Sequence, residues 1–240
     1  IMYGYATDST PEFLPYALVL VHRLAQGLEG LRRSGAAPWM EPDGKTQVTM
    51  EQGKLKTVLV SCQHAVEAEQ EFIRRELFSK LVEPLLEGEA LPEFLVNPTG
   101  KFVYGGFAAD AGLTGRKIMV DTYGGLVRHG GGCFSGKDPS KVDRSAAYMA
   151  RFAAKNVVAN GLAERCLVSV AYAIGRADPL MVSAVDEKGK DLSSFVKENF
   201  DFRPQAIIER LGLRRPLYAK TAAYGHFGKA GLPWEEVVSL

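Results

Sequence analysis

The sequence has few of the features that mark secreted, membrane-spanning or nucleic-acid-binding proteins. Its 3 cysteines, Cys62, Cys133 and Cys166, lie far apart and form no CxxC pair or disulfide framework, which indicates a reducing, cytoplasmic setting. No apolar run approaches the about 20 residues that a membrane-spanning helix needs. The net charge is +1, so no overall field attracts nucleic acid or an anionic membrane. Any anion site must therefore come from local clustering of charge.

What the sequence does contain is typical of a globular protein. The chain has 240 residues, 46% of them hydrophobic and 24% charged, which is enough apolar material to bury a core in one large domain or two ordinary ones. Ile1 opens directly into an apparent strand without a leader. Because a natural chain seldom begins inside an element, we expect residues to be missing upstream.

Hydrophobic periodicity and turn residues predict helices mixed with strands. Helices are predicted at 13–33, 66–86, 142–160, 192–199 and 204–211, and strands at 45–51, 54–61, 94–96, 102–104, 117–121, 165–174 and 180–185. Residues 221–240 form a tail without a regular period, and no domain boundary is visible from composition. The mixture, with several hairpins, predicts an α+β protein rather than a doubly wound sheet.

Glycines, cations and aspartates concentrate between Asp110 and Asp143. Glycines let backbone amides approach a phosphate, lysine and arginine neutralise its charge, and nearby aspartates are natural ligands for the Mg²⁺ that accompanies a polyphosphate. The helix predicted near Val142 would direct its amide-rich end towards the same place. The segment is therefore interpreted as a polyphosphate site. Composition alone leaves a glycine-rich surface loop with solvated charges as the alternative.

A P-loop explanation of this segment fails. Gly131 to Lys137 fits G-x-x-x-x-G-K, but Asp138 follows where Ser or Thr is needed, and no buried strand precedes it. Two other clusters, 42–47 and 98–102, are ordinary polar turns when judged by themselves. The histidines show no metal-binding pattern: only His129 is placed near the site, and a structural role is predicted for His226.

Several long segments resemble the S-adenosylmethionine synthetase (methionine adenosyltransferase) family, with a bacterial character, in the right order and over essentially the whole chain. They are Pro42–Thr49, Gly112–Lys117, Asp121–Gly125, Gly130–Asp138, Lys141–Tyr148 and Thr221–Gly228. The resemblance implies three similar α+β domains interwoven along the chain, with mixed sheets and helices packed on one face. Residues 1–240 would be the C-terminal two-thirds of such a protein.

The resemblance also implies an activity. The family joins ATP to L-methionine: the methionine sulfur attacks the ribose C5′, tripolyphosphate leaves, and the enzyme hydrolyses it to phosphate and diphosphate. Mg²⁺ and K⁺ assist. The active sites lie between two subunits of a dimer or a dimer of dimers, with no nucleic-acid or membrane partner.

Site residues follow from the matching motifs. The cations expected to carry catalysis are Lys137, Lys141, Arg116 and Lys45. ATP binding is expected from these four and from Asp43, Thr99, Gly100, Lys101, Phe102, Asp110, Lys117 and Cys133, with Phe102 stacking on adenine. Methionine would contact Asp110, Lys141 and Ile174; Asp143 resembles a magnesium ligand, and Ser135 a backbone ligand of K⁺.

The sequence departs from the family pattern in three places. Phe107-Ala108-Ala109 stands where a Pro-x-Gly segment is usual, and Cys133 stands where alanine is common. The family's His-Pro-Asp motif, early acidic ligands, gating loop and Gly-Asp-Gln-Gly segment would all precede Ile1. A second hypothesis is therefore a catalytically incomplete fragment or a non-catalytic subunit of such an enzyme.

Overall fold

The computed structural model describes residues 1–86, 88 and 92–240, and these form two compact units. The first unit combines residues 1–16 with residues 113–240, and the second contains residues 17–112. The chain thus leaves the first unit and later returns to it. Each unit has a three-stranded sheet accompanied by helices, which confirms the predicted α+β class.

The first unit is built on an antiparallel sheet in the order β1-β5-β6, formed by Met2–Thr7, Arg165–Ala171 and Met181–Asp186. Alternate residues of each strand are buried, as expected for a sheet with one covered face. Helix α5, Val142–Ala159, covers that face. Gly4 permits the close approach, because a Cβ atom there would lie 1.9 Å from the backbone carbon of Ala150.

Helix α5 is the most buried element of this unit and ends as the sequence predicts. Gly161 adopts φ +73°, and the amides of Gly161 and Leu162 donate to the carbonyls of Val158 and Val157. These two bonds form a Schellman motif, which satisfies carbonyls that the helix end leaves free. Two shorter helices follow the sheet strands, α6 at Ser193–Asn199 and α7 at Pro204–Arg210.

A buried ion network holds the C-terminal segment on α5. The Glu235 carboxylate accepts from both Arg151 (3.0 and 2.8 Å) and Lys155 (2.9 Å), and the Arg151 and Glu235 side chains are almost fully buried. Arg151 also donates to the carbonyls of Tyr5 and Phe13. Residues 221–240 lack regular structure beyond short 3₁₀ turns, as predicted. The ion network nevertheless packs this segment firmly against α5.

The second unit has a mixed sheet in the order β2-β3-β4. Met40–Glu51 and Lys54–His64 form the predicted hairpin, and both turn residues, Gln52 and Gly53, have positive φ. Such angles are typical of a type I′ turn, which matches the twist of the strands. Glu93–Val96 adds a strand parallel to β3. Helices α1, Tyr16–Arg33, and α2, Gln70–Leu77, accompany the sheet.

Two strand predictions were wrong. Residues 117–121 form a short helix, α4 at Ile118–Asp121, in which Thr122 Oγ1 donates to the Ile118 carbonyl at 2.8 Å. The apolar run Ile118-Met119-Val120 favoured a strand there, but Val120 is 55% exposed and the segment has no neighbouring strand in the described residues. Residues 102–104 are not a strand either: the Phe102 carbonyl accepts from the His64 amide, but the Phe102 amide donates to the His64 side chain rather than to a neighbouring backbone.

Two predicted helices differ in their bounds. Helix α1 begins at Tyr16 rather than residue 13, because Phe13 has φ +57° and the Thr10 hydroxyl closes a turn with the backbone of Leu14. The predicted helix 66–86 becomes α2, a π-helical turn at Phe78–Val82, and α3 at Glu83–Leu86. Within the described residues, no helix is long and apolar enough to cross a bilayer.

Candidate functional site

The glycine-rich cluster, residues 114–143, lies in the first unit and brings several predicted site residues together. Two of its glycines, Gly130 and Gly132, are required by close packing. A Cβ atom on Gly132 would lie 2.3 Å from the Asp143 carboxylate carbon, and one on Gly130 would lie 1.7 Å from the carbonyl oxygen of Ile1. The triple glycine therefore lets the loop pass directly over the first turn of α5.

Lys137 and Asp143 form the central ion pair of the cluster, with Nζ 2.5 Å from Oδ2. Their side chains are 25% and 44% exposed, so both groups remain accessible to a ligand. Burial tends to lower the pKa of Lys137, but the hydrogen bond and charge of Asp143, together with the Cys133 side chain, outweigh it and raise the pKa. Lys137 is consequently a cation over the whole physiological range.

A second pair lies one turn before α5. Lys141 Nζ donates to Asp138 Oδ2 at 2.6 Å and to Ser140 Oγ at 3.3 Å. The hydrogen bond from Lys141, followed by those from Ser140, lowers the pKa of Asp138. Both charged side chains are more than half exposed, so water screens this pair and its contribution to stability is small.

The segment that carries Arg116 and Lys117 contacts the loop of Ser135 through Thr114. Arg116 and Lys117 are exposed, and the Thr114 hydroxyl donates to the Ser135 carbonyl at 3.5 Å. His129 accepts a hydrogen bond from the Gly131 amide on Nδ1, and burial lowers its pKa despite the nearby Asp143. Its imidazole is thus neutral at pH 7, which places His129 beside the cluster as predicted but not as one of its cations.

Ile174, predicted to lie near methionine, follows β5 and is fully exposed. Its side chain touches no core of the first unit, so packing does not explain an apolar residue at this position. The role predicted for it stays a prediction.

Arg144 directly follows the glycine-rich cluster and lies in the Lys141–Tyr148 segment, and the family resemblance gave it no role. It is buried, and its Nη1 donates to the Lys137 carbonyl at 2.8 Å while its Nε donates to the Tyr148 hydroxyl at 3.0 Å. Its guanidinium also stacks over the Tyr218 ring at 4.0 Å. The spacing of Arg144 and Tyr148, four apart on a helix, was the available signal.

The second unit holds the residues predicted for adenosine in a braced loop. Gly100 has φ +98°, and its amide donates to the carbonyl of Asn97, whose side chain bonds both backbone groups of Cys62. This fixes the turn to β3. Thr99, Gly100 and Lys101 are exposed on the turn, and Lys45 is exposed on β2.

His64 fixes the backbone of Phe102 by hydrogen bonds. Its Nδ1 lies 2.9 Å from the Ala65 carbonyl, which can only accept, so Nδ1 carries the proton. Nε2 is then free to accept from the Phe102 amide at 3.0 Å. The Phe102 ring lies against Gly105, where a Cβ atom would come within 2.8 Å of it. The ring is half-buried, with one part left open.

The two predicted aspartates of this unit have different roles. Asp43 is part-buried and accepts from the Gly106 amide at 2.9 Å, so it braces the loop that follows Phe102. Asp110 is exposed and accepts a local bond, from the Gly112 amide at 2.8 Å. The unusual Phe107-Ala108-Ala109 segment overlaps the 3₁₀ turn Gly106–Ala108, and Phe107 is 91% exposed.

The carboxylates of the cluster fit a metal that arrives with a polyphosphate. Within the described residues, no group of three or more His, Cys, Asp or Glu side chains could hold a metal by itself. Mg²⁺ is usually held by one or two carboxylates together with substrate phosphates, and Asp143 offers one such carboxylate at the edge of the cluster.

A glycine-lined backbone with accessible lysines, an arginine and single carboxylates is suited to an anion of several charges. Two family models match the chain: the S-adenosylmethionine synthetase central domain over residues 1–102 and the C-terminal domain over residues 104–236. The two family models match consecutive parts of the chain, whereas the first compact unit is discontinuous, since it combines residues 1–16 with residues 113–240.

Curated relatives agree with the family models. An S-adenosylmethionine synthase of Thermus thermophilus is 53% identical over 253 aligned positions, covering 98% of this chain and 63% of the relative. A protein of the same name from Desulforudis audaxviator is 53% identical over 99% of this chain and 64% of its own length. The chain belongs to the S-adenosylmethionine synthetase family. It spans a little under two thirds of the length of these relatives.

Proposed function

We propose that the protein containing this chain makes S-adenosylmethionine from ATP and L-methionine, releasing tripolyphosphate that it then hydrolyses to phosphate and diphosphate. Family membership supports the reaction class, since the relatives are named S-adenosylmethionine synthase. The observation that carries the proposal is the Lys137–Asp143 pair on the triple-glycine loop, which presents a permanent cation to an approaching polyphosphate.

The reaction needs little acid–base catalysis from the protein. A thioether sulfur is already nucleophilic, so the barrier falls mainly through alignment and through stabilisation of charge on the departing tripolyphosphate. We assign that stabilisation to Lys137, Lys141 and Arg116, with Lys117 and Lys45 as further phosphate contacts. Lys137 suits the role best, because its raised pKa and part-buried position keep one cation at a fixed place.

The remaining roles follow the family resemblance. Phe102 would stack on adenine beside the turn Thr99–Lys101, and Asp43 would keep the adjoining loop in place through its bond to Gly106. Asp110, Lys141 and Ile174 would contact methionine, and Cys133 would lie near ATP through its position beside Lys137.

Mg²⁺ and K⁺ are the proposed ions. Asp143 would hold Mg²⁺, which would neutralise the polyphosphate when bound, and the Ser135 carbonyl would contribute to K⁺. We also propose self-association to a dimer or tetramer with active sites between subunits, in the cytoplasm, without nucleic acid or membrane as a partner.

A catalytically incomplete fragment or non-catalytic subunit is the second candidate. The observation that favours it is the share of the relatives that the chain spans, 63% for the Thermus protein. Intact-mass measurement of the protein isolated from its host separates the two. A mass near 26.2 kDa with no S-adenosylmethionine formation supports the incomplete form. A larger mass with turnover supports the enzyme.

The test of the main proposal is Lys137→Ala in the protein as its host produces it, assayed for S-adenosylmethionine formation by chromatography. Loss of leaving-group stabilisation should lower turnover by ~10²-fold or more. Lys197→Ala, which removes an exposed lysine on α6, is the matched control and should be neutral. Turnover like the wild type in Lys137→Ala would refute the assigned role.

A further inference from the structure

A buried hydrogen-bond chain lies behind the glycine-rich cluster and belongs to none of the roles assigned above. It links Arg144, Tyr148, His226 and Ser135, with Arg144 Nε to the Tyr148 hydroxyl at 3.0 Å and Tyr148 to His226 Nδ1 at 2.8 Å. His226 Nε2 then lies 3.4 Å from Ser135 Oγ. The first three residues are buried, and Ser135 is half-buried on the loop.

The direction of each bond follows from what each group can do. Arg144 can only donate, so the Tyr148 oxygen accepts from it and the Tyr148 hydrogen points to His226 Nδ1. Nδ1 is therefore an acceptor, and the proton of a neutral imidazole lies on Nε2, facing Ser135. The backbone fixes the ring as well, because the His226 amide donates to the Asp121 carbonyl and the His226 carbonyl accepts from Trp234 Nε1.

Both ends of this hydrogen-bond chain reach the same short segment, residues 135–137. One end is Ser135 Oγ, and the other is the Lys137 carbonyl, which accepts from Arg144 Nη1 at 2.8 Å. Gly136, between them, has φ +89°, a Cβ atom there would meet only Thr114 Cγ2 at 3.9 Å, and one local backbone bond, from the Lys137 amide to the Phe134 carbonyl at 3.2 Å, closes the turn. Without external bonds, a segment of this kind would sample several conformations.

We propose that Arg144, Tyr148 and His226 are positioning residues that clamp residues 135–137 at both ends and so hold the Lys137 ammonium at the place where tripolyphosphate binds. The proposal deepens the function given above and rests on it for the identity of the ligand. The hydrogen bonds alone define the clamp, so amide hydrogen exchange can test it without any ligand.

Tyr148→Phe is the most selective variant. It removes the one oxygen that joins Arg144 to His226 and keeps the ring, which stacks on Trp234 at 3.7 Å between centroids. Tyr172→Phe is the matched control, because it also removes one part-buried hydroxyl bond in the first unit, to the Phe202 carbonyl, without a link to the loop.

Two measurements on the protein from its host decide the matter. Hydrogen exchange of the Lys137 amide, which donates to the Phe134 carbonyl at 3.2 Å, should quicken roughly tenfold in Tyr148→Phe, and calorimetry should show a roughly tenfold weaker tripolyphosphate affinity, the loss expected for one buried hydrogen bond. ATP-analogue affinity should change less, since Phe102 and its turn are unaffected. Tyr172→Phe should leave all three as in the wild type. Exchange and tripolyphosphate affinity that match this control would overturn the clamp.

If Tyr148→Phe does not fold, a second pair of variants tests the same clamp. His226→Gln offers an acceptor and a donor and should retain tripolyphosphate affinity, whereas His226→Leu should lose it roughly tenfold. Equal affinities in the two would contradict the clamp. If the wild type and Lys137→Ala bind tripolyphosphate equally, the role that the proposed function gives to Lys137 fails, and amide exchange still decides whether the clamp exists.

Discussion

Burial of His226 should make the protein less stable in mild acid. The pKa of this imidazole falls from 6.5 to about 3, first because of burial and then because of the positive charges of Arg144 and Lys229. The groups that face it are the Tyr148 and Ser135 hydroxyls, with Asp121 Oδ1 3.9 Å from Nε2. The single nearby carboxylate does not offset the two cations and the loss of water.

The sign and size of the effect follow from proton linkage. Between pH 6.5 and about 3 the unfolded chain binds a proton at this residue and the folded chain does not, so stability falls as the pH drops below 6.5. From pH 7.5 to 5 the loss from this group is about 2 kcal/mol, since each pH unit below the unfolded pKa costs about 1.4 kcal/mol.

Urea denaturation of the wild type and His226→Gln at pH 7.5, 6.5 and 5.0 measures the effect. Glutamine keeps both hydrogen-bonding roles but does not titrate, so the advantage of the wild type over the variant should shrink by about 2 kcal/mol between pH 7.5 and 5.0. Acid loss from other groups is common to both proteins and cancels in this comparison. A difference in stability that stays constant across the three pH values would refute the assignment of a neutral, buried His226.

Two further predictions concern the other parts of the fold. Glu235→Gln should lower the free energy of unfolding by about 3–5 kcal/mol, because it leaves the buried Arg151 and Lys155 without their counter-charge, whereas the exposed Glu198→Gln should be neutral; equal urea midpoints would contradict this. Phe102→Ala should weaken ATP binding by about 1–3 kcal/mol through loss of stacking on adenine, with methionine affinity retained, and unchanged nucleotide affinity in calorimetry would mean that Phe102 is only a packing residue.

Local signals were enough for the elements whose stability is mostly local. The β2–β3 hairpin follows from alternating residues around Gln52-Gly53, and the end of α5 follows from Gly161. Residues 117–121 show the limit of the same reasoning. Their short apolar run, Ile118 to Val120, is compatible with a strand, but a strand needs a neighbouring strand to pair with. The sequence pattern does not reveal that neither sheet of the described residues offers one at this place.

The candidate site also has a part that could be predicted from local sequence and a part that could not. Its cations and glycines stand close together in the sequence, so their clustering was visible there, and the family resemblance supplied their roles. The clamp was not visible, because His226 lies 78 residues from Tyr148 and 91 from Ser135. A histidine in a glycine- and aromatic-rich tail predicts a structural role, as the structure confirms, but not which loop it supports.

The charge pairing of the cluster has a consequence for how it would bind a polyphosphate. Lys137 and Lys141 are each paired with a carboxylate only a few residues away, on a surface where such pairs contribute about 0–1 kcal/mol. The pairs can therefore hold the lysines near their working positions without competing strongly against a ligand that carries several charges. Under the proposed function, tripolyphosphate would replace the carboxylates as the partner of these ammonium groups at little cost, and the buried clamp on residues 135–137 would keep the backbone in place while the side chains change partners.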